Sequence, residues 1–296
     1  MRTLLRRFTS TRTRQKLAFS IVAARQPTAR WRPLPNLLVI GAQRCGTSSL
    51  FKYLGAHPQG KASIRKEVRF FTEFYDKGVD WYRSHFPIAL GNGPSSSICF
   101  EVTPDYLLDP RAPKRVIDLL PDVRVIVLLR DPVDRAFSQY RHNRRQGTEW
   151  LPFREALARE AERIVPALLK LEACPEIPAP KDFLRYSYLE RGRYANQLQR
   201  WKNFVDDDRM LVLRSEDLFE DPRATFQEIL SFLGLHAWHP DTYQNFSFDG
   251  ARPVPPPIPL DCSDWLTEAL AEDAARLPEV LGSKASLFDY RSRWGK

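Results

Sequence analysis

The sequence predicts an α/β fold, a P-loop-like three-layer arrangement with a central parallel sheet flanked by helices. Three observations carry this expectation. Short apolar runs at Leu37–Ile40, Ile98–Val102, Val123–Leu129 and Met210–Arg214 have the length and composition of buried strands. Longer segments with helical periodicity separate them, as parallel crossovers require. The first run leads into a glycine-bounded loop, Gly41 to Gly46, and a helix predicted over Thr47–Leu54 that stops near Gly55 and Pro58.

The remaining elements follow from the same patterns. Helices are predicted over Pro113–Leu120, Val133–Arg145, Phe153–Ile164, Glu190–Phe204 and Pro222–Leu233. Residues 166–182, rich in Pro and Ala, read as a loop or short insertion. Pro253 to Pro259 reads as a surface crossing before a final helix near Trp265–Ala275. No internal repeat and no second folded domain is written in the chain.

A length of 296 residues with 43% hydrophobic content suits one large domain. We divide the chain into a basic N-terminal tail, 1–35, and a domain over 36–296. No apolar stretch reaches the roughly 18 residues that cross a bilayer. The chain therefore reads as soluble and cytoplasmic, or at most bound to a membrane surface through its tail.

The net charge of +9 calls for anionic partners. Much of the excess lies early, at Arg2, Arg6, Arg7, Arg12, Arg14, Lys16, Arg25, Arg30 and Arg32, and the first carboxylate in the chain is Glu67. An acid-free, Arg- and Ser/Thr-rich start fits an organelle presequence, a basic helix on an anionic membrane, or a disordered tail. Sequence leaves these open, and it leaves the oligomeric state open too. Cys45, Cys99, Cys174 and Cys262 form no CxxC pair, so no metal site is expected. A Cys174–Cys262 bridge stays open.

The chemistry concentrates in two segments. Gly41 to Ser48 has P-loop spacing, but Thr47 stands where an NTPase needs the lysine that reaches its β- and γ-phosphates. Phosphate binding survives that loss. Small residues turn backbone N–H groups inward, the helix start adds its positive dipole end, Thr47 and Ser48 add hydroxyls, and Arg44 adds a charged fork. The second segment is the strand Val125–Leu129 ending in Arg130-Asp131-Pro132, with Ser138 two turns into the next helix. An arginine leaving the carboxyl end of a parallel strand stands on the rim where such sheets bind ligands.

The run from Leu38 to Leu50, followed by His57 and Pro58, resembles the 5′-phosphosulfate loop of the sulfotransferase superfamily. The resemblance is closest to the heparan sulfate sulfotransferase-like and bacterial carbohydrate sulfotransferase branch, and it covers about residues 36–236. It implies that Gln43, Arg44, Cys45, Gly46, Thr47 and Ser48 hold the phosphosulfate of 3′-phosphoadenylyl sulfate, the donor cosubstrate. Arg44, where many members have lysine, would stabilise charge on the bridging oxygen. Leu128 to Ser138 is similar to the family's 3′-phosphate motif, which assigns Arg130 and Ser138 to that phosphate.

Lys66 to Phe71 resembles the Lys-Glu-x-x-Phe-Phe stretch and makes Glu67 the candidate general base, or one member of a structural ion-pair cluster. Arg69 stands where the family often has His, and Val102 where it often has Lys. Arg191 and Tyr194, within Tyr188 to Tyr194, and Arg252, after Phe246, are further donor-contact candidates by resemblance. Trp81, Tyr82, Phe86 and Trp150 are candidates to stack on a sugar or to pack. The implied function is metal-free, in-line sulfonate transfer to a hydroxyl or amine of a small-molecule or carbohydrate acceptor, a sugar or glycosylated metabolite, with no nucleic-acid partner. A kinase-type phosphotransferase and a non-catalytic anion- or nucleic-acid-binding module are the alternatives. The missing lysine at Thr47 speaks against the first.

Overall fold

The computed structural model describes residues 11–88, 97–246 and 257–288. Five parallel strands form one sheet in the order β2-β3-β1-β4-β5: β1 (Leu37–Gly41), β2 (Gly60–Ala62), β3 (Ile98–Val102), β4 (Arg124–Leu129) and β5 (Met210–Arg214). In β1 and β3 every residue is buried, whichever way its side chain points. Both faces of the sheet are therefore covered, which is why these strands read as unbroken apolar runs. The central register, Val39 against Val102 on one side and Ile126 on the other, brings the carboxyl ends of β3, β1 and β4 to one edge.

Helices connect and cover the strands. Along the described chain they are α1 (Thr11–Arg25), α2 (Thr47–Ala56), α3 (Gly78–Arg83), α4 (Asp105–Leu108), α5 (Ala112–Leu119), α6 (Pro132–Arg145) and α7 (Phe153–Ala158). They continue as α8 (Glu160–Ala173), α9 (Lys181–Tyr186), α10 (Tyr194–Lys202), α11 (Ser215–Glu220), α12 (Pro222–Leu233) and α13 (Leu260–Leu281). The start of α6 is set by Asp131, whose carboxylate accepts from the amides of Val133 and Asp134, with Pro132 in the first turn. The end of α12 is set by Gly234 in the left-handed region at φ 66°.

The helix predicted over Glu190–Phe204 is a 3₁₀ turn at Glu190–Gly192 followed by α10, and the structure differs from the sequence expectations at four further places. An edge strand, β2, pairs with β3 through Gly60–Ala62, a stretch with no apolar run to announce it. The helix predicted over Phe153–Ile164 breaks at Arg159 into α7 and α8. Residues expected as loop from 166 instead continue α8 through Pro166 to Ala173. An interior proline costs about 3 kcal/mol, but Ile164, Ala167 and Leu171 form one buried stripe against Phe183 and Leu184 of α9. The final helix is longer than expected at both ends.

The N-terminal basic segment is partly engaged with the domain. Val22 of α1 and Ala29 of the following 3₁₀ turn are buried. Arg32 donates from Nη1 to the Phe86 carbonyl at 2.6 Å, and Arg83 donates to the Arg32 carbonyl at 2.7 Å. All four cysteines are free. Cys174 is exposed just past α8, whereas Cys262 is buried in the first turn of α13 in a cluster with Val133 and Leu266, so the bridge left open by the sequence is not formed.

Candidate active site

The first cradle is the turn from β1 into α2. Gly46 precedes the helix at φ 85°, and a Cβ there would lie 3.0 Å from the Phe219 ring. Glycine is needed on both counts. No side chain caps this helix start, so the leading amides of α2 are left for a ligand. Thr47 is nearly buried and Ser48 half-buried. Ser49 is fully buried, and its hydroxyl accepts from the Phe246 amide at 3.0 Å. Cys45 is also fully enclosed, and burial pushes its thiol up to about 12. It offers the site backbone and bulk, not a thiolate.

Arg44 connects this loop to the second cradle. Its backbone is left-handed at φ 73°, and its Nε donates to Ser138 Oγ on α6 at 3.1 Å. Burial, then the nearby charges of Arg145, Arg130 and Arg141, lower its guanidinium to about 10. It therefore stays cationic at neutral pH. The positive charges of Arg130, Arg141 and Arg145 acting on Arg44 suit this place to a polyanion. Arg141 and Arg145 were not picked out by sequence reasoning, although they lie three and seven residues after Ser138 and so on its helix face.

Arg130 leaves the end of β4 half-exposed, with Nη2 a long 3.9 Å from Asp134. Its turn is braced from two sides. The Tyr194 hydroxyl donates to the Arg130 carbonyl at 2.9 Å, and the Asp131 amide donates to Glu216 Oε1 at 3.1 Å. Tyr194 thus sits beneath the turn, almost wholly buried. Glu216 is a third residue missed in the sequence; its signal is its position just past the carboxyl end of β5.

Glu67 stands at the end of β3, on the other side of β1. Its amide donates to the carbonyl of Val102, the last residue of that strand, at 2.9 Å. Lys66 Nζ lies 2.7 Å from Oε1, and Arg69 Nη2 lies 3.0 Å from Oε2. Crowding by protein atoms alone raises this carboxyl, but Lys66 and Arg69 outweigh it and hold Glu67 at about 2. Its side chain still keeps about a third of its surface open. Glu67 and Arg69 both adopt positive φ, 61° and 60°. Such a backbone costs roughly 1–2 kcal/mol per non-glycine residue and persists only when its surroundings over-determine it.

Arg69 is the hub that does so. Besides Glu67 it reaches Glu73 Oε1 at 2.9 Å and Asp105 Oδ2 at 3.1 Å, and its amide donates to Thr103 Oγ1. Asp105 in turn meets Arg191 Nη2 at 2.6 Å. Arg191 is 2% exposed and also donates to the Leu184 carbonyl. The structure therefore places Arg191 in a buried ion pair beneath the site, joined to Glu67 through Asp105 and Arg69. Arg252 lies outside the described residues.

The aromatic candidates divide. Trp81, Tyr82 and Phe86 are buried, with Tyr82 stacked on Phe70 at 4.4 Å between ring centroids and its hydroxyl on Glu101 at 2.6 Å. Tyr106, whose hydroxyl also donates to Glu101, is equally enclosed. These rings pack the core under β3. Trp150 alone of the candidates is exposed, at 71%. Gln43 is half-buried with its Oε1 unpartnered. His57 and His85 are spent on packing and backbone contacts, and burial first of all lowers the His85 ring to about 4.

Residues 34–253 match the family model described as a sulfotransferase domain. The chain belongs to the sulfotransferase family. Its similarity to human bifunctional heparan sulfate N-deacetylase/N-sulfotransferase 3 is 31% identity over 214 residues, 68% of this chain and 22% of that protein. It is likewise 31% identical over 207 residues to the N-deacetylase/N-sulfotransferase 1 of Xenopus laevis, again 68% and 22%. The chain spans about a fifth of the length of these curated relatives. A crystal structure of a sulfotransferase from Alicyclobacillus acidocaldarius superposes with a TM-score of 0.65 at 29% identity, over 89% of this chain and all of that one.

The family match bears out the α/β expectation and the resemblance read from the two motifs. It does not favour the phosphotransferase or nucleic-acid-binding readings. Among the described residues, no helix is long and apolar enough to cross a membrane, and no cluster of His, Cys, Asp and Glu could hold a metal ion.

Proposed function

We propose that this sulfotransferase-family protein moves a sulfonate group from 3′-phosphoadenylyl sulfate to a hydroxyl or amine of a carbohydrate acceptor. The observation that carries the reading is the Arg44–Ser138 hydrogen bond, which joins two motifs 94 residues apart into one cationic basin. In it the α2 amides, Thr47 and Ser48 would receive the 5′-phosphosulfate. Arg130 and Ser138 would receive the ribose 3′-phosphate. The relatives named for heparan sulfate N-sulfotransferase activity support a sugar acceptor.

The transfer is an in-line displacement. The acceptor's lone pair forms the new bond to sulfur while the bond from sulfur to the donor's bridging oxygen breaks. That electron pair leaves with adenosine 3′,5′-bisphosphate, where Arg44 and the loop amides stabilise it. Glu67 accepts the acceptor's proton. Held at about 2 by two cations, it is a weak base at rest. If Lys66 turns toward the donor's sulfonate, Glu67 loses one of those cations and its basicity rises as the donor binds.

The direct test incubates purified protein with radiolabelled donor and a panel of sugar acceptors in EDTA, read by added sulfonate mass. Calorimetry with adenosine 3′,5′-bisphosphate and with ATP accompanies it. Tight bisphosphate binding and metal-independent transfer support the reading. Preference for ATP with Mg²⁺ would overturn it.

A further inference from the structure

The candidate base has a support that no motif announces. Arg65 donates to the Glu67 carbonyl from both Nε and Nη2, at 3.2 and 2.7 Å. Glu67 is thus gripped on both backbone sides, its amide by Val102 and its carbonyl by Arg65. The left-handed φ of 61° lies between those two contacts. Arg65 is itself seated twice. Its carbonyl accepts from Ser63 Oγ at 2.8 Å, and its guanidinium carbon stands 5.5 Å from the Phe19 ring centroid.

Phe19 belongs to α1, within the basic N-terminal segment. Its ring contacts Phe74 at 5.8 Å and Trp81 at 6.4 Å, and Trp81 stacks on Phe70 at 6.3 Å. The segment is pinned further along by the Arg32–Phe86 and Arg83–Arg32 hydrogen bonds. A continuous line of contacts therefore runs from α1 through Arg65 to the backbone of Glu67.

We infer that Phe19 and Arg65 are positioning residues for Glu67, so that the N-terminal helix is a working part of the active site. This rests on Glu67 being the base. A guanidinium fork on a carbonyl fixes a direction as well as a distance. With that fork gone, the Glu67 peptide can leave its left-handed conformation and carry the carboxylate off the line of attack. An error of about 1 Å in such placement is enough to cost roughly 10²-fold in rate.

The test uses the full chain and the variants Phe19→Ala, Arg65→Ala, Arg65→Lys and the Phe19→Ala/Arg65→Ala pair. Expected for Arg65→Ala is a fall in kcat of roughly 10–100-fold with bisphosphate affinity held within about 2-fold. Arg65→Lys, which keeps charge without the fork, falls between it and wild type. Phe19→Ala lowers kcat roughly 3–10-fold, and the double variant is no worse than Arg65→Ala, because the two act in series. Hydrogen exchange gives a readout independent of turnover: amide protection across 63–69 falls in both single variants while that of β4 is unchanged. Wild-type kcat and protection in Phe19→Ala would overturn the inference, as would additive effects in the pair. A wild-type chain that transfers no sulfonate would instead sink the functional reading.

Discussion

Arg191 Nη2 lies 2.6 Å from Asp105 Oδ1, and both side chains are at least 96% enclosed. The same Asp105 meets Arg69 through its other oxygen, and Arg69 holds Glu67. A cation that sequence resemblance points toward the nucleotide is, in the fold, the buried end of a chain of charges leading to the candidate base. Removing one partner of an enclosed pair strands the other. Because Asp105 keeps Arg69, Arg191→Ala should cost about 3 kcal/mol, the low end for such pairs. Denaturant unfolding measures this, and a variant of unchanged stability but much weaker bisphosphate binding would contradict it.

Arg130 and Ser138 should set the preference for a ribose 3′-phosphate. Replacing both with alanine is expected to bring the affinity for adenosine 3′,5′-bisphosphate down by roughly 10²-fold, toward that for adenosine 5′-phosphate. Paired titrations read the ratio directly. If it survives the double substitution, the second cradle has been misassigned.

Glu67→Gln should lower turnover roughly 10²–10⁴-fold while leaving bisphosphate affinity nearly intact. A large loss of affinity with little change in turnover would make Glu67 structural instead.

The same residue gives a signed pH dependence. Its carboxyl falls from an ordinary 4.5 to about 2 on folding, so the folded state holds fewer protons between these values. The stability it contributes is present above pH 4.5 and disappears as pH falls through about 2. Acid unfolding of Glu67→Gln should therefore be flatter than wild type across that window. Parallel acid titrations of the two proteins would refute this.

Gly46→Ala tests the first cradle. The substitution meets both the positive φ of 85° and the Phe219 ring at 3.0 Å. Bisphosphate affinity should fall at least about 10-fold, because the amides at the start of α2 must turn to relieve the strain. Unchanged affinity would mean that these amides do not hold the phosphate.

Much of the scaffold around the candidate site was legible along the chain. β1, its loop and α2 are contiguous, and β4 runs straight into Arg130 and α6, so local pattern and spacing reveal them. The helix over Pro222–Leu233 came out residue for residue, because Asp221 and Gly234 mark its ends with side-chain and backbone chemistry. β2 was invisible, since three residues without an apolar run become a strand only by pairing with β3. α8 was hidden for the opposite reason: Pro166 argued locally for a break that the buried stripe on α9 overrides.

By itself the sequence determined the parallel α/β scaffold, the glycine-bounded loop that lacks the NTPase lysine, and the placement of Arg130 at a strand end with Ser138 on the helix that follows. Each is written in consecutive or helically spaced residues, where covalent geometry dictates the neighbours. The tertiary structure alone decided that Arg191 is enclosed against Asp105, that Arg44 meets Ser138, and that Phe19 stands over Arg65, which holds the Glu67 carbonyl. Those contacts join residues from separate elements, and only the packing of the sheet and its helices sets which charges and rings meet.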